Sequence, residues 1–567
     1  MFMRHIKMTN KVIGLALAAL TFTACTETWN DHYEGTTDVG AWADKTLWEA
    51  IKADGSLNNF VRVAEATGYD RSLNSSQMFT VFAPTDDTFS SSEADQLISQ
   101  YNTEKANGVK DEDNTTIKTF LRNHIALYSH SVSGMSSDSI VMMNGKYALL
   151  TNDKIGHSEL TLKNRLCSNG LLYKVATPVT YFNNVFEYLR TDADLDSLAN
   201  FLYTYNEYEF MPDQSVAGGI NDKGETEYLD SVTVLKNELF DYLGLLNSED
   251  STYWVVAPTN DVWSHLISEY NTYFNYADNV DKRDSLQYVA SRMAIVQGTI
   301  FSRTQNRDAA VRDSAMSTAA ATYQNRLYAW GSRDFKYYQY EFPFNPGGVF
   351  DGTDNIECSN GEVRKAANWN INKNQTFMRT LIVEAETRDN LKEVNEQTTK
   401  SPLTSTEVLS SSAFYNKVSR NTFAVVEPTT ASVNAEVTFY LPNVLSNVKY
   451  DIYAVMVPAL AADTLATEAQ RLPTKLRFTI YYENQQGRER SENLKNPLDG
   501  TSDYVTTPDV IDTLLVAQNY EFETCGYGLT MSPVKLKVKT QIGAKENTTY
   551  TRTMRIDCFI LKPHEDD

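Results

Sequence analysis

The chain has 567 residues, of which 42% are hydrophobic, 11% aromatic and 22% charged, with 15 Pro and 25 Gly. That mix is globular and excludes a collagen-like, a disordered or a polytopic membrane protein; at roughly 150 residues per domain the length gives three or four domains. A formal charge of −22 argues against nucleic acid as a partner, and seven His beside 33 Tyr is a poor stock for metal sites or imidazole catalysis.

The first 25 residues carry an address. Arg4, Lys7 and Lys11 form a positive segment without acids, and Val12 to Ala24 is a short apolar run, VIGLALAALTFTA. Such a run is too short to span a hydrocarbon core of about 30 Å, so it reads as a secretory signal. It ends in Thr23-Ala24-Cys25, which resembles the lipobox of bacterial lipoproteins. The resemblance implies removal of residues 1–24 and acylation of Cys25, several chains holding a protein on a bilayer more firmly than one. Ordinary secretory cleavage with Cys25 as a bystander is the alternative, and Met8 is an alternative start. Residues 25–37 are polar and acidic through Glu27, Asp31 and Glu34. They resemble the tether that sends Bacteroidetes-type lipoproteins to the outer face of the outer membrane, which is the expected location.

Two pairs of segments then repeat in the same order. Phe79 to Phe89, FTVFAPTDDTF, aligns without a gap on Tyr253 to Trp263, YWVVAPTNDVW. Cys167 to Ala176, CSNGLLYKVA, matches Cys358 to Ala366, CSNGEVRKA, with the second copy longer between its signatures. Thr80-Val81-Phe82 is a β-prone run that must end near Pro84, which cannot donate a ladder hydrogen bond. Thr85, Asp86 and Asp87 offer an N-cap to the helix that follows, and Asn169-Gly170 supplies a tight turn into the strand LLYKVATPV. Neither segment presents a nucleophile with a base, or a phosphate loop.

These segments resemble the two signatures of the fasciclin family. LRNHIALYSH, Leu121 to His130, sits where the family has a His-containing element, with Asn123 where many members have Tyr. The resemblance implies a fasciclin-like unit over residues 38–182 and a divergent one with an insertion over 183–386. It also implies a non-enzymatic adhesion or binding role without a cofactor.

Residues 387–567 open on a Ser/Thr-rich linker and continue as β-type segments. Val437, Phe439 and Leu441 alternate with Thr438 and Tyr440, and Lys535, Lys537 and Lys539 alternate with Leu536 and Val538. Period-two runs of this kind are half-buried antiparallel strands and predict a C-terminal β-sandwich. The expected fold class is α+β and β-rich: two fasciclin-like domains, then the sandwich. Cys525 and Cys558 lie in this last unit and either pair or stay as buried thiols.

The sequence holds no HExxH, GxSxG, Walker loop or CxxC. Asp192, Asp194 and Asp196 have calcium-loop spacing but read as a helix N-terminus, and Asp351, Asp354 and Glu357 read as a solvated loop. No metal site and no enzyme activity are expected. Trp330, Tyr337, Tyr338 and Tyr340, within the insertion RLYAWGSRDFKYYQYEFPF, are the candidate ligand-binding residues, amphipathic rings able to stack on sugars or clasp peptides. The alternative makes Tyr338, Tyr340, Phe342 and Phe344 the inward face of a strand. Tyr270, Tyr273, Phe274 and Tyr276, at helical spacing, are expected in the core. The functional expectation is a surface lipoprotein that binds glycan or peptide, its acidity favouring neutral or basic ligands. It would serve an outer-membrane nutrient-uptake complex, such as a starch-utilisation-type TonB-dependent transporter; cell adhesion of the fasciclin type is the alternative.

Overall fold

The computed structural model describes residues 42–564 apart from 133–136, 213–215, 221–222, 231–232, 307–313, 320–337 and 388–400. Cys25 with its signal and tether, and Trp330 and Tyr337, lie outside the described residues.

The first unit is built on a seven-stranded sheet. Its strands are β1 (Phe79–Pro84), β2 (Ile125–Leu127), β3 (Ser137–Val141), β4 (Tyr147–Thr151), β5 (Lys154–Ile155), β6 (Ser158–Cys167) and β7 (Gly170–Val175), in the order β2-β1-β7-β6-β5-β4-β3. β1 is buried at every position and runs parallel to β7, from Phe79 opposite Gly170 to Pro84 opposite Val175. The helix Ser91–Ala106 starts on a capping box of Ser90 and Glu93, not on Thr85 to Asp87 as expected. Asp86 instead accepts the backbone N–H groups of Asn58 and Asn59 at 3.0 and 2.9 Å, serving the start of the helix Asn58–Thr67.

The second unit repeats this plan. Strands β8 (Tyr253–Pro258), β9 (Ile300–Ser302), β10 (Thr353–Cys358) and β11 (Gly361–Ala366) lie in the order β9-β8-β11-β10. β8 and β11 are parallel from Tyr253 opposite Gly361 to Pro258 opposite Ala366, the register of β1 and β7. The shared Asn-Gly explains the match. Asn169 accepts the Leu47 N–H at 2.7 Å and donates to the carbonyls of Leu73 and Ser75; Asn360 accepts the Val185 N–H at 2.8 Å and donates to those of Leu246 and Ser248. Gly170 and Gly361 hold φ of +145° and +143°, where a Cβ would lie 1.9 Å from the Phe79 carbonyl oxygen and 2.0 Å from that of Tyr253.

The third unit is two facing sheets. The first contains β12 (Leu381–Glu384), β13 (Leu403–Glu407), β14 (Thr422–Val426), β16 (Lys449–Met456), β20 (Asp512–Glu521) and β22 (Met554–Pro563), ordered β13-β14-β22-β16-β20 with β12 also on β22. The second contains β15 (Glu436–Tyr440), β17 (Lys475–Glu483), β18 (Glu489–Asn493), β19 (Tyr504–Val505) and β21 (Lys535–Thr540), ordered β15-β21-β17-β18 with β19 on β17. Val437, Phe439, Leu536 and Val538 are fully buried between the sheets; the period-two reading holds for β21, whereas in β15 the intervening Thr438 is buried too. β12 lies before residue 387, so the sandwich starts earlier than the sequence reading placed it.

One hydrophobic core runs through the second and third units, while the first unit has cores of its own. Tyr273, Phe274 and Tyr276 are buried at the junction, where Phe274 packs on Tyr527 and the Tyr276 hydroxyl donates to the Tyr527 carbonyl at 2.9 Å. Between the first and second units, the buried Lys146 ammonium donates to Glu187 at 2.9 Å, Glu249 at 2.8 Å and Ser359 at 3.1 Å.

Candidate functional site

The structure divides the aromatic residues expected to bind ligand. Tyr338 and Tyr340 are 4% and 3% exposed, and their hydroxyls donate to Gln297 Oε1 at 3.1 Å and the Gly298 carbonyl at 2.8 Å. They are core residues, not part of a stacking platform. The apolar neighbourhood of Phe301 and Phe350 claims the Tyr340 ring, and backbone near its hydroxyl satisfies the polar end. Phe342 and Phe344 are exposed at 48% and 38%, so the inward strand face stops at Tyr340.

The cysteines offer no chemistry either. Cys167, Cys358, Cys525 and Cys558 are all buried free thiols, so Cys525 and Cys558 do not pair. Burial pushes the Cys167 thiol up to about 11 and the Cys525 thiol up to about 12. The Asn123-His124 element is a clamp inside the first unit. Asn123 donates to the Val179 carbonyl at 2.8 Å, and both ring nitrogens of His124 are engaged, Nδ1 with the Phe120 carbonyl and Nε2 with the Val179 N–H. Asp192 and Asp194 form ion pairs with Lys365, both at 3.0 Å, and Asp192 caps the 3₁₀ turn Ala193–Leu195, as the helix-start reading expects.

Two faces remain as candidates for recognition, the first of them half-buried. One is the outer face of the β15-β21-β17-β18 sheet. Tyr440, Lys535, Tyr481 and Ser491 form one cross-strand row; Lys537, Thr479 and Asn493 lie beside it in the next. Lys535 sits 5.8 Å from the Tyr440 ring centre and Lys537 sits 5.3 Å from that of Tyr481. Lys535 also pairs with Glu489 at 2.7 Å, and the Thr479 hydroxyl donates to Asn493 at 2.8 Å. The strand alternation that buries Leu536 and Val538 turns this set outward. Two amphipathic rings, ammonium and hydroxyl donors and an amide are the chemistry that takes both the CH faces and the hydroxyls of a sugar. Sequence analysis identified β15 and β21 but missed the face, because its strands meet only through a register that links residues up to 95 apart.

The other face lies on the first unit. Ala126 bridges to Met142, which sets Leu127 beside Val141, and Val141 pairs with Tyr147. Leu127, Val141, Tyr147 and Leu149 are 40%, 48%, 47% and 53% exposed, and Tyr128 follows at 66%. These apolar side chains make the open sheet a candidate surface, although the Tyr147 hydroxyl donates to Asp250 of the second unit at 2.6 Å.

No curated protein matches the chain. Among solved structures, a FAS1 domain pair from the insect cell adhesion molecule fasciclin I is 10% identical, covering 57% of this chain and 98% of its own, with a TM-score of 0.19. The CBM22-1–GH10 modules of Clostridium thermocellum xylanase 10B, complexed with xylohexaose, are 13% identical over 29% of this chain, with a TM-score of 0.18. This chain spans only 25% of that xylanase. The CBM22-1 xylan-binding domain of Paenibacillus barcinonensis Xyn10C is 13% identical, covering 33% of this chain and 95% of its own, with a TM-score of 0.18. Within the chain itself, residues 55–180 match the family model of the fasciclin domain.

Proposed function

We propose that this protein is a non-enzymatic, lipid-tethered surface protein that binds glycan or peptide as an accessory to an outer-membrane nutrient-uptake complex. The observation that carries the reading is the Tyr440–Lys535–Tyr481 row with Lys537, Thr479 and Asn493 beside it, a face that favours a glycan over a peptide. Lys535 is neutralised by Glu489 and Lys537 lies over the Tyr481 ring, so the face suits neutral sugars, in keeping with the whole-chain charge of −22. Cys25, if acylated, would hold this face where polymers arrive. Adhesion is the second reading, supported by the exposed Leu127–Val141–Tyr147 row and by the fasciclin match over residues 55–180.

Affinity electrophoresis of soluble residues 26–567 through gels containing neutral or acidic polysaccharides tests the two. Retention should fall about tenfold on Tyr481→Ala, in line with the loss of one ring stacked on a sugar, and again on Lys537→Ala. Retention that survives both changes would remove this face from the account. No retention by any polymer, with cell attachment lost on Tyr128→Ser and Leu149→Ser, would establish adhesion instead.

A further inference from the structure

The candidate sugar face has a regular spacing across its strands. Tyr440 of β15, Lys535 of β21, Tyr481 of β17 and Ser491 of β18 stand opposite one another in a single row. Alternation along each strand sends these side chains outward, while Phe439, Ile480 and Leu536 are fully buried on the inner side. One strand, β21, separates the two tyrosines, so they stand two interstrand steps apart, about 9.6 Å. Sheet twist turns one position relative to the other by about 45°. Polar groups flank the row on both sides. On one side the Thr479 hydroxyl donates to Asn493 at 2.8 Å, and on the other Lys535 pairs with Glu489 at 2.7 Å.

A pyranose ring with equatorial substituents carries C–H bonds on both faces, the shape that an aromatic ring stacks on. Where the bonds into and out of each ring are both equatorial, the chain runs straight and each ring is turned over relative to the last. Alternate rings then offer the same face to one side, two sugar lengths apart. That repeat matches the separation of Tyr440 and Tyr481. An axial bond at one end of each ring bends the chain into a coil, and alternate rings no longer lie where both tyrosines can reach them. The twist between the two positions suits a single dissolved chain and not a flat stack of chains.

We infer that this face binds an extended, equatorially 1,4-linked chain of neutral pyranoses laid across the strands, and passes over coiled α-linked glucans. The inference rests on the glycan reading above and narrows it. Alternate sugars stack on Tyr440 and Tyr481, and the sugar between them lies over Lys535. The ammonium groups of Lys535 and Lys537, 5.8 and 5.3 Å from the centres of the Tyr440 and Tyr481 rings, move to the ring edges and donate to sugar hydroxyls. Glu489 and Asn493 offer further hydrogen bonds from the two flanks. An uptake complex served by this protein would then import a linear polymer other than starch.

Calorimetry on residues 26–567 tests this with β-1,4-linked oligomers of glucose, xylose and mannose and with the α-1,4-linked glucose hexasaccharide. In the β-linked series that binds, the trisaccharide should bind about tenfold more tightly than the disaccharide, because only the trisaccharide reaches both rings. The α-linked hexasaccharide should bind at least about tenfold more weakly than the β-linked one. The gain from disaccharide to trisaccharide should vanish in Tyr440→Ala and in Tyr481→Ala, and should return in Tyr481→Phe, which keeps the ring. Equal binding of α- and β-linked hexasaccharides, or a disaccharide bound as tightly as the trisaccharide, would overturn the inference and leave the glycan reading standing. No binding of any β-linked oligomer would overturn it too, and retention by a gel polysaccharide would then separate this failure from that of the glycan reading.

Discussion

The His124 ring is held by two hydrogen bonds of opposite sense, which fixes it neutral: Nδ1–H donates to the Phe120 carbonyl and Nε2 accepts the Val179 N–H. A second proton would face an N–H donor, and burial lowers the imidazole to about 4. A base held below its ordinary value of 6.5 contributes stability that is complete above 6.5 and lost as pH falls from 6.5 toward 4. The first unit should therefore lose about 3 kcal/mol across that window, read by urea denaturation at stepped pH; a flat profile would remove the buried neutral imidazole. Gly170 and Gly361 make the sharper residue-scale case. Alanine at either would set a Cβ about 2 Å from a carbonyl oxygen at positive φ, so each change should cost well over the ~1 kcal/mol of an ordinary glycine replacement. The shared Cys-Ser-Asn-Gly made these turns legible. The Asn side chain's second duty, tying down the preceding helices, was not, since its partners lie about 95 to 175 residues away.

At the scale of elements, the seam between the first and second units rests on charges that look like surface residues in the sequence. Lys146 follows an Asn-Gly turn, where solvent exposure is the natural expectation, yet its side chain is 7% exposed and its partners are 41, 103 and 213 residues away. Burial pushes the Glu187 carboxyl up, but Lys146 and Lys118 outweigh it and hold it at about 2. An acid lowered in this way contributes stability present above its ordinary value of 4.5 and lost as pH falls toward 2. Lys146→Ala leaves Glu187 and Glu249 buried with less compensation, and should destabilise the first two units by about 3–5 kcal/mol. Chemical denaturation reads that loss, and a change under about 1 kcal/mol would show the network to be solvated. β12 was assigned to the wrong unit for a related reason. LIVE is apolar enough for either neighbour, and only pairing with β22 places it.

For the whole molecule, the continuous core predicts which parts unfold together. The second and third units bury Phe274, Phe377 and Tyr527 against one another, so residues 183–564 should melt in one transition and residues 42–182 in another. Calorimetry on the two fragments and the soluble chain checks this; a stable, cooperatively folded 183–386 fragment would contradict it. The duplicated plan and the sandwich could be read from motif order and period-two strands. The recognition face could not, because it is assembled by register across β15, β21, β17 and β18, and the aromatic run that drew attention supplies the core with Tyr338 and Tyr340. Which face meets the ligand is the central claim, and lysine-reactivity footprinting of residues 26–567 with and without a retained polysaccharide tests it most directly. Bound polymer should shield Lys537 from modification while Lys154 and Lys163 of the first unit react as before. Shielding confined to the first unit, with Lys537 unchanged, would contradict the account.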